Sequence, residues 1–171
     1  TITVSGGAGD DFVVTAGSVF AVPVTTSGSM RFAMAATSSG RVDGTISILT
    51  GQQFRFDNTT GGATNAFIFG SGSAFTCNIT SASSSYAFGS GTQSAEKWVV
   101  FEDGAHLYYE GGYSPMGSTA AYLAIDFKPG SVWHHRANNG VGSFFNRKSF
   151  GHVIVENNAT LTLDGPVYRI N

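Results

Sequence analysis

An eleven-residue pattern recurs six times in this chain and leaves few folds open to it. The copies are FVVTAGSVFAV from Phe12, ISILTGQQFRF from Ile46, FIFGSGSAFTC from Phe67, VVFEDGAHLYY from Val99, IDFKPGSVWHH from Ile125 and VIVENNATLTL from Val153. Each has apolar residues at its first, third and ninth positions and breaks at the sixth with Gly17, Gly51, Gly72, Gly104, Gly130 or Asn158. Alternation with period two on both sides of a break describes two short half-buried strands meeting at a corner. Gly and Asn take a positive φ at low cost, so the sixth column is a backbone requirement. The seventh column (Ser18, Gln52, Ser73, Ala105, Ser131, Ala159) is mostly small, as the inside of a corner needs.

The copies start at 12, 46, 67, 99, 125 and 153, so the steps are 34, 21, 32, 26 and 28 residues. A fixed block with variable spacers is the mark of a stacked repeat whose loops differ in length. The expected fold is therefore all-β: a right-handed parallel β-helix (β-solenoid) of about six turns, one domain over residues 1–171. The alternative is a β-sandwich, which shares the alternation but gives no reason for one corner to recur. Stacking would make the ninth positions (Phe20, Phe54, Phe75, Leu107, Trp133, Leu161) one apolar spine, and the third positions (Val14, Ile48, Phe69, Phe101, Phe127, Val155) another. Met30, Phe32 and Met34, then Tyr86 and Phe88, then Phe144, Phe145 and Phe150, are expected to line further walls. Gly/Ser/Thr/Asn-rich runs between them, such as 58–65 and 138–143, read as loops.

Charge is sparse: 12% charged residues and a formal net charge of −2. That composition argues against nucleic acid and anionic membranes, which call for basic patches. No apolar run approaches the ~20 residues of a membrane span. The single cysteine, Cys77, excludes an internal disulfide framework and falls on an inward position, where it reads as a small buried hydrophobe. The chain starts without Met inside an apparent strand (Ile2, Val4) and ends in another (Val167, Tyr168, Ile170). A processed product or a segment of a longer chain is expected.

Function would sit in the outward columns. The fourth column ends Glu102, Lys128, Glu156, an alternating charge ladder. The catalytic candidates are Glu102 and Asp126: two residues along a strand and one strand across puts them on the order of 8 Å apart, within the separation of an inverting glycosidase pair. The ligand-binding candidates are His106, Tyr108, His134 and Arg55, a strip of rings and polar groups suited to stacking on sugars. His134 and His135 point to opposite faces of a strand and make no metal motif, so His135 is expected inside, hydrogen-bonded. Asp10–Asp11 and Asp57–Asn58 lack a calcium-loop spacing. No metal and no cofactor is expected. Asn58, Asn78 and Asn158 each open an Asn-x-Ser/Thr triplet, a glycan acceptor in a eukaryotic secreted chain.

Stretches such as VVFEDGAHLYYEGGYSPMG and LAIDFKPGSVWHHRANNG resemble repetitive β-helical regions of large secreted or surface proteins of Bacteroidota. Such proteins commonly leave by the type IX pathway and carry a separate sorting domain. The resemblance implies an extracellular, non-enzymatic stalk, fibre or adhesin segment. Its partners would be surface or extracellular polysaccharide, or neighbouring copies end to end. The chain also looks like phage tail-fibre solenoids and autotransporter passengers. The rival functions are a carbohydrate-binding module and a polysaccharide-cleaving β-helix enzyme.

Overall fold

The computed structural model describes residues 2–4, 11–22, 29–34, 38–49, 53–58, 67–79, 87–88, 99–112, 115, 125–138, 149–161 and 169–170. Among them are strands only, numbered here in chain order and grouped in four sheets. The first sheet holds β2 (Phe12–Val14), β5 (Gly40–Val42), β8 (Phe67–Phe69), β10 (Val99–Phe101) and β12 (Ile125–Phe127). The second holds β3 (Val19–Val22), β6 (Thr45–Ile48), β9 (Ala74–Ile79), β11 (His106–Gly112), β13 (Val132–His135) and β15 (His152–Val155). The third joins β1 (Ile2–Val4), β4 (Ser29–Met34) and β7 (Gln53–Asn58), and the fourth pairs β14 (Ser149–Phe150) with β16 (Arg169–Ile170).

In the first two sheets, spatial order is chain order, and each strand pairs in parallel with its counterpart one repeat earlier. No ladder among the described residues is antiparallel, the pairing that a hairpin-built β-sandwich requires. Registers turn sequence positions into columns. In the first sheet Val14, Val42, Phe69, Phe101 and Phe127 align. In the second, Phe20, Ile46, Phe75, Leu107, Trp133 and Val153 align. Rings in these columns stack face to face, Phe69 on Phe101 at 4.4 Å and Phe101 on Phe127 at 5.0 Å between centroids. Phe32, Phe88 and Phe150 close the core from the side.

Four corners have the expected form. Gly17, Gly72, Gly104 and Gly130 have φ between 74° and 87°, and each corner is tied by an N–H to C=O bond, such as Ala105 N to Glu102 O at 3.0 Å. The second and sixth copies are misaligned by the sequence template. Ile46 lies beside Phe20 and Phe75, so the second corner is Asp43–Gly44 and not Gly51, which lies outside the described residues. Ile48 moves with it, into the Val22–Cys77 column, and Val42 takes its place in the first sheet. Val153 lies beside Trp133, so the corner of that repeat is at Gly151, and Asn158 turns the chain after the second sheet. Asn158 does take a positive φ, 55°, with Asn157 at 57° beside it.

The physical reason is compression. Two residues separate Val42 from Thr45 where four separate Val14 from Val19, so this corner nests inside its neighbour. A side chain at Gly44 would strike the carbonyl oxygens of Thr15 and Ser18. Gly151 is hemmed in the same way by the Lys128 and Ser131 carbonyls. Because alternation survives a shift of any even number of residues, Ile46–Ile48 fitted either arm of the template.

Candidate functional site

Inward and outward residues alternate along β11 and β13. Leu107, Tyr109, Trp133 and His135 are fully buried, while His106, Tyr108 and His134 project from the outer face, His134 itself being covered by its neighbours to 8% exposure. Parallel register sets Tyr108 beside His134, and residues two apart on one strand bring His106 and Arg136 to the same face. Glu156 follows β15 and donates its backbone N–H to the His135 carbonyl.

Glu110 arrives by a different device. Tyr109 pairs with Cys77 but Gly111 pairs with Asn78, so Glu110 is the extra residue of a β-bulge. Gly111 and Gly112, with φ of 141° and 79°, absorb the irregularity, and the Tyr109 hydroxyl fastens it by donating to Gly112 O at 2.7 Å. The bulge aims Glu110 at Arg136.

These side chains form one network. Arg136 donates to Glu110 Oε1 at 2.8 Å and, through Nε, to Glu156 Oε2. His134 Nδ1 lies 2.6 Å from Glu156 Oε1, and His134 Nε2 lies 3.0 Å from His106 Nδ1. Those bonds to His134 and Arg136 hold the Glu156 carboxyl below the usual range, so it is ionised and only accepts. His134 therefore carries a proton on Nδ1, and one proton lies between its Nε2 and His106 Nδ1. Burial, and then neighbouring His134, lowers the pKa of His106. The two imidazoles meet almost end to end, with centroids 5.2 Å apart and 3.0 Å between the facing nitrogens. That is an N–H···N hydrogen bond, and the lone pairs do not converge on a common point beside the rings, as two ligands of one metal must. Among the described residues no group of three or more His, Cys, Asp or Glu could hold a metal ion.

Tyr108 is the centre of the arrangement. His134 stacks on its ring at 4.2 Å with 23° between planes, and the Arg136 guanidinium sits 4.3 Å above the same ring. His106 lies alongside, 5.9 Å away and tilted by only 11°.

Three of the four ligand-binding candidates (His106, Tyr108 and His134) are thus brought together. Arg55 is not: it lies on β7, beside Arg31 in the third sheet, because the second copy was misaligned. Ser47 occupies the position assigned to it in the Tyr108 column. The catalytic candidates keep the expected offset, Asp126 standing opposite Val100 on the neighbouring strand, and each meets a cation. Asp126 is bonded by Lys128 Nζ at 2.7 Å, and Glu102 faces Arg41 at 3.6 Å, which also grips Asp43 at 2.9 Å. Glu156 leaves the proposed charge ladder altogether, since its repeat is shifted toward the second sheet.

Arg136, Glu110 and Glu156 were missed as site residues. A Glu-Gly-Gly sequence directly after a strand pattern was the one sign of the bulge. His135 is buried as expected, stacked on Tyr109 at 5.4 Å, with Nε2 3.3 Å from Thr160 O. Cys77 is buried too, and burial pushes its thiol pKa far up, leaving no thiolate to react. Asp11 accepts a bond from Ser39 N at 3.1 Å; side chains at Asp57 and Asn58, and all of Asp10, lie outside the described residues. No described helix is long and apolar enough to cross a membrane. Set against protein-family models, curated proteins and solved structures, the chain matches none.

Proposed function

We propose that the chain is a segment of a right-handed parallel β-solenoid of about six turns, serving outside the cell as a structural or adhesive stalk with no catalytic step of its own. One observation carries the reading. The inner columns run without interruption from one edge of the second sheet to the other, while the outward residues change freely from strand to strand. A chain selected for a repeated interior is a chain selected for length and stiffness. The non-enzymatic part of the reading is supported by Glu102 and Asp126, each of which is met by a cation. The extracellular setting, the likeness to Bacteroidota surface proteins and the phage-fibre alternative rest on repeat style alone.

The edges indicate how such a segment would connect. At one edge, Val13 and Val19 are 53% and 64% exposed; at the other, Ile154 and Val155 are 43% and 47% exposed. Val155 continues the column of Tyr109 and His135, both fully buried, so it is an inward residue awaiting a further rung. Unpaired strand edges bearing apolar residues associate. Sedimentation and electron microscopy over rising concentration should show particles lengthening end to end, and Val155→Lys should halt the lengthening. Compact monomers at high concentration would remove the stalk reading.

A further inference from the structure

The outer face of the second sheet has a step in it. On β3, β6 and β9 the outward residues are Val19, Ala21, Thr45, Ser47, Ala74 and Thr76, all small or short. On β11 the same two columns continue as His106 and Tyr108. A low shelf two strand spacings wide, about 10 Å, therefore ends at a riser made of rings.

The riser presents a ring face to the shelf. His134 stacks on Tyr108 from the neighbouring strand β13, so the normal of the tyrosine ring runs across the strands. Its opposite face is then turned toward β9 and Thr76. His106, nearly coplanar with Tyr108, extends the same wall. Arg136 and His134, both in contact with the Tyr108 ring, are locked by Glu110 and Glu156, so the wall is held before any ligand arrives. On the shelf, the hydroxyls of Thr45, Ser47 and Thr76 make no hydrogen bond among the described residues. An aromatic face standing over unspent hydroxyls matches a ring with C–H groups on its face and hydroxyls on its edge. The charged side chains there are Arg136 against Glu110 and Glu156, an excess of one negative charge, which disfavours an anionic ligand.

We infer that the shelf and its Tyr108–His106 wall form a binding site for an uncharged oligosaccharide, one sugar ring lying with its C–H face on Tyr108 and its hydroxyls toward Ser47 and Thr76. The site does not depend on the stalk reading, because its wall and nearest hydroxyls, on β11, β9 and β6, lie between other strands of the stack.

Soluble neutral hexaoses (β-glucan, mannan and xylan), with an oligogalacturonate as the acidic comparison, would be titrated calorimetrically against the full chain. Saturable binding to at least one neutral hexaose is expected, falling at least about tenfold in Tyr108→Ala and persisting in Tyr108→Phe. Thr76→Arg, which fills the shelf in front of the Tyr108 ring, should also abolish it, and Val132→Ala, beyond the wall, should leave it unchanged. Unaltered thermal unfolding of each variant keeps the comparison about binding. The proposal is overturned by no binding to any neutral hexaose, by binding to the acidic one alone, or by affinity that survives both Tyr108→Ala and Thr76→Arg.

Discussion

The two halves of the second sheet share one interior and have opposite exteriors. Inside, β3, β6 and β9 contribute Phe20, Ile46 and Phe75, and β11, β13 and β15 continue with Leu107, Trp133 and Val153. Outside, the first three strands carry small residues, and the last three carry a stacked, ion-paired cluster. The contrast separates two jobs. Interior columns and corners build the stack in both halves, whereas outward positions are free to hold chemistry in one half and nothing in the other.

If the interior is equivalent throughout, truncating it should cost the same on either side of the step. Ile46→Ala and Leu107→Ala both remove a fully buried aliphatic side chain, and each should destabilise by about 2–5 kcal/mol in denaturant unfolding. A large cost in one half and a small cost in the other would show that the crowded exterior, and not the shared core, holds the sheet together.

The corners sharpen the comparison at a lower cost. Gly44→Ala drives a methyl into two backbone carbonyls and should destabilise by about 1–3 kcal/mol. Gly17 has open space around it but φ of 77°, so Gly17→Ala should cost about 1–2 kcal/mol and Gly17→Asn less. Asn should rescue nothing at Gly44, where the obstacle is space. Chemical denaturation of the three variants and Gly44→Asn tests the distinction.

That distinction also marks what the sequence revealed. The parallel stack, four of the six members of each inner column and four corners were legible because alternation and a positive-φ residue recur at fixed offsets. The corners at Gly44 and Gly151 were not, because contraction removes the offset while leaving the alternation intact, and Asn158 imitated the expected residue at a different bend. The error propagated to the site: the false second copy puts Arg55 in the Tyr108 column, and the true cation, Arg136, was overlooked. His106, Tyr108 and His134 were found because they lie in correctly aligned copies. Glu110 was hidden by the bulge, which breaks the period on which sequence reading depends.

Acid should act on the crowded half alone. Burial lowers the pKa of His106 and of His135, so the folded chain binds fewer protons there than the unfolded chain. Stability from these two groups is complete above the unfolded histidine value and declines as pH falls below it. Glu156, held low by His134 and Arg136, adds a second loss once pH drops below the ordinary carboxylate range. Both losses have the same sign. Hydrogen exchange between pH 7 and 4 should show amides of β11, β13 and β15 losing protection before those of β3, β6 and β9. Simultaneous loss across the sheet would mean that the histidines report global unfolding.

The smallest expected effect is the most informative about the shelf. Ser47→Ala and Thr76→Ala remove hydroxyls with no partner among the described residues, from half-buried outward positions that neither fill the core nor form a corner. Their stabilities should stay within about 0.5 kcal/mol of the parent. Arg136→Ala, by contrast, removes the guanidinium between two part-exposed carboxylates and the cover on Tyr108, and should lose about 1 kcal/mol. A polar residue kept on a surface without contributing to stability is available for contact with something else. If Ser47→Ala proved as costly as Arg136→Ala, the hydroxyl would be a structural part of the sheet, and the two exteriors would differ in size but not in purpose.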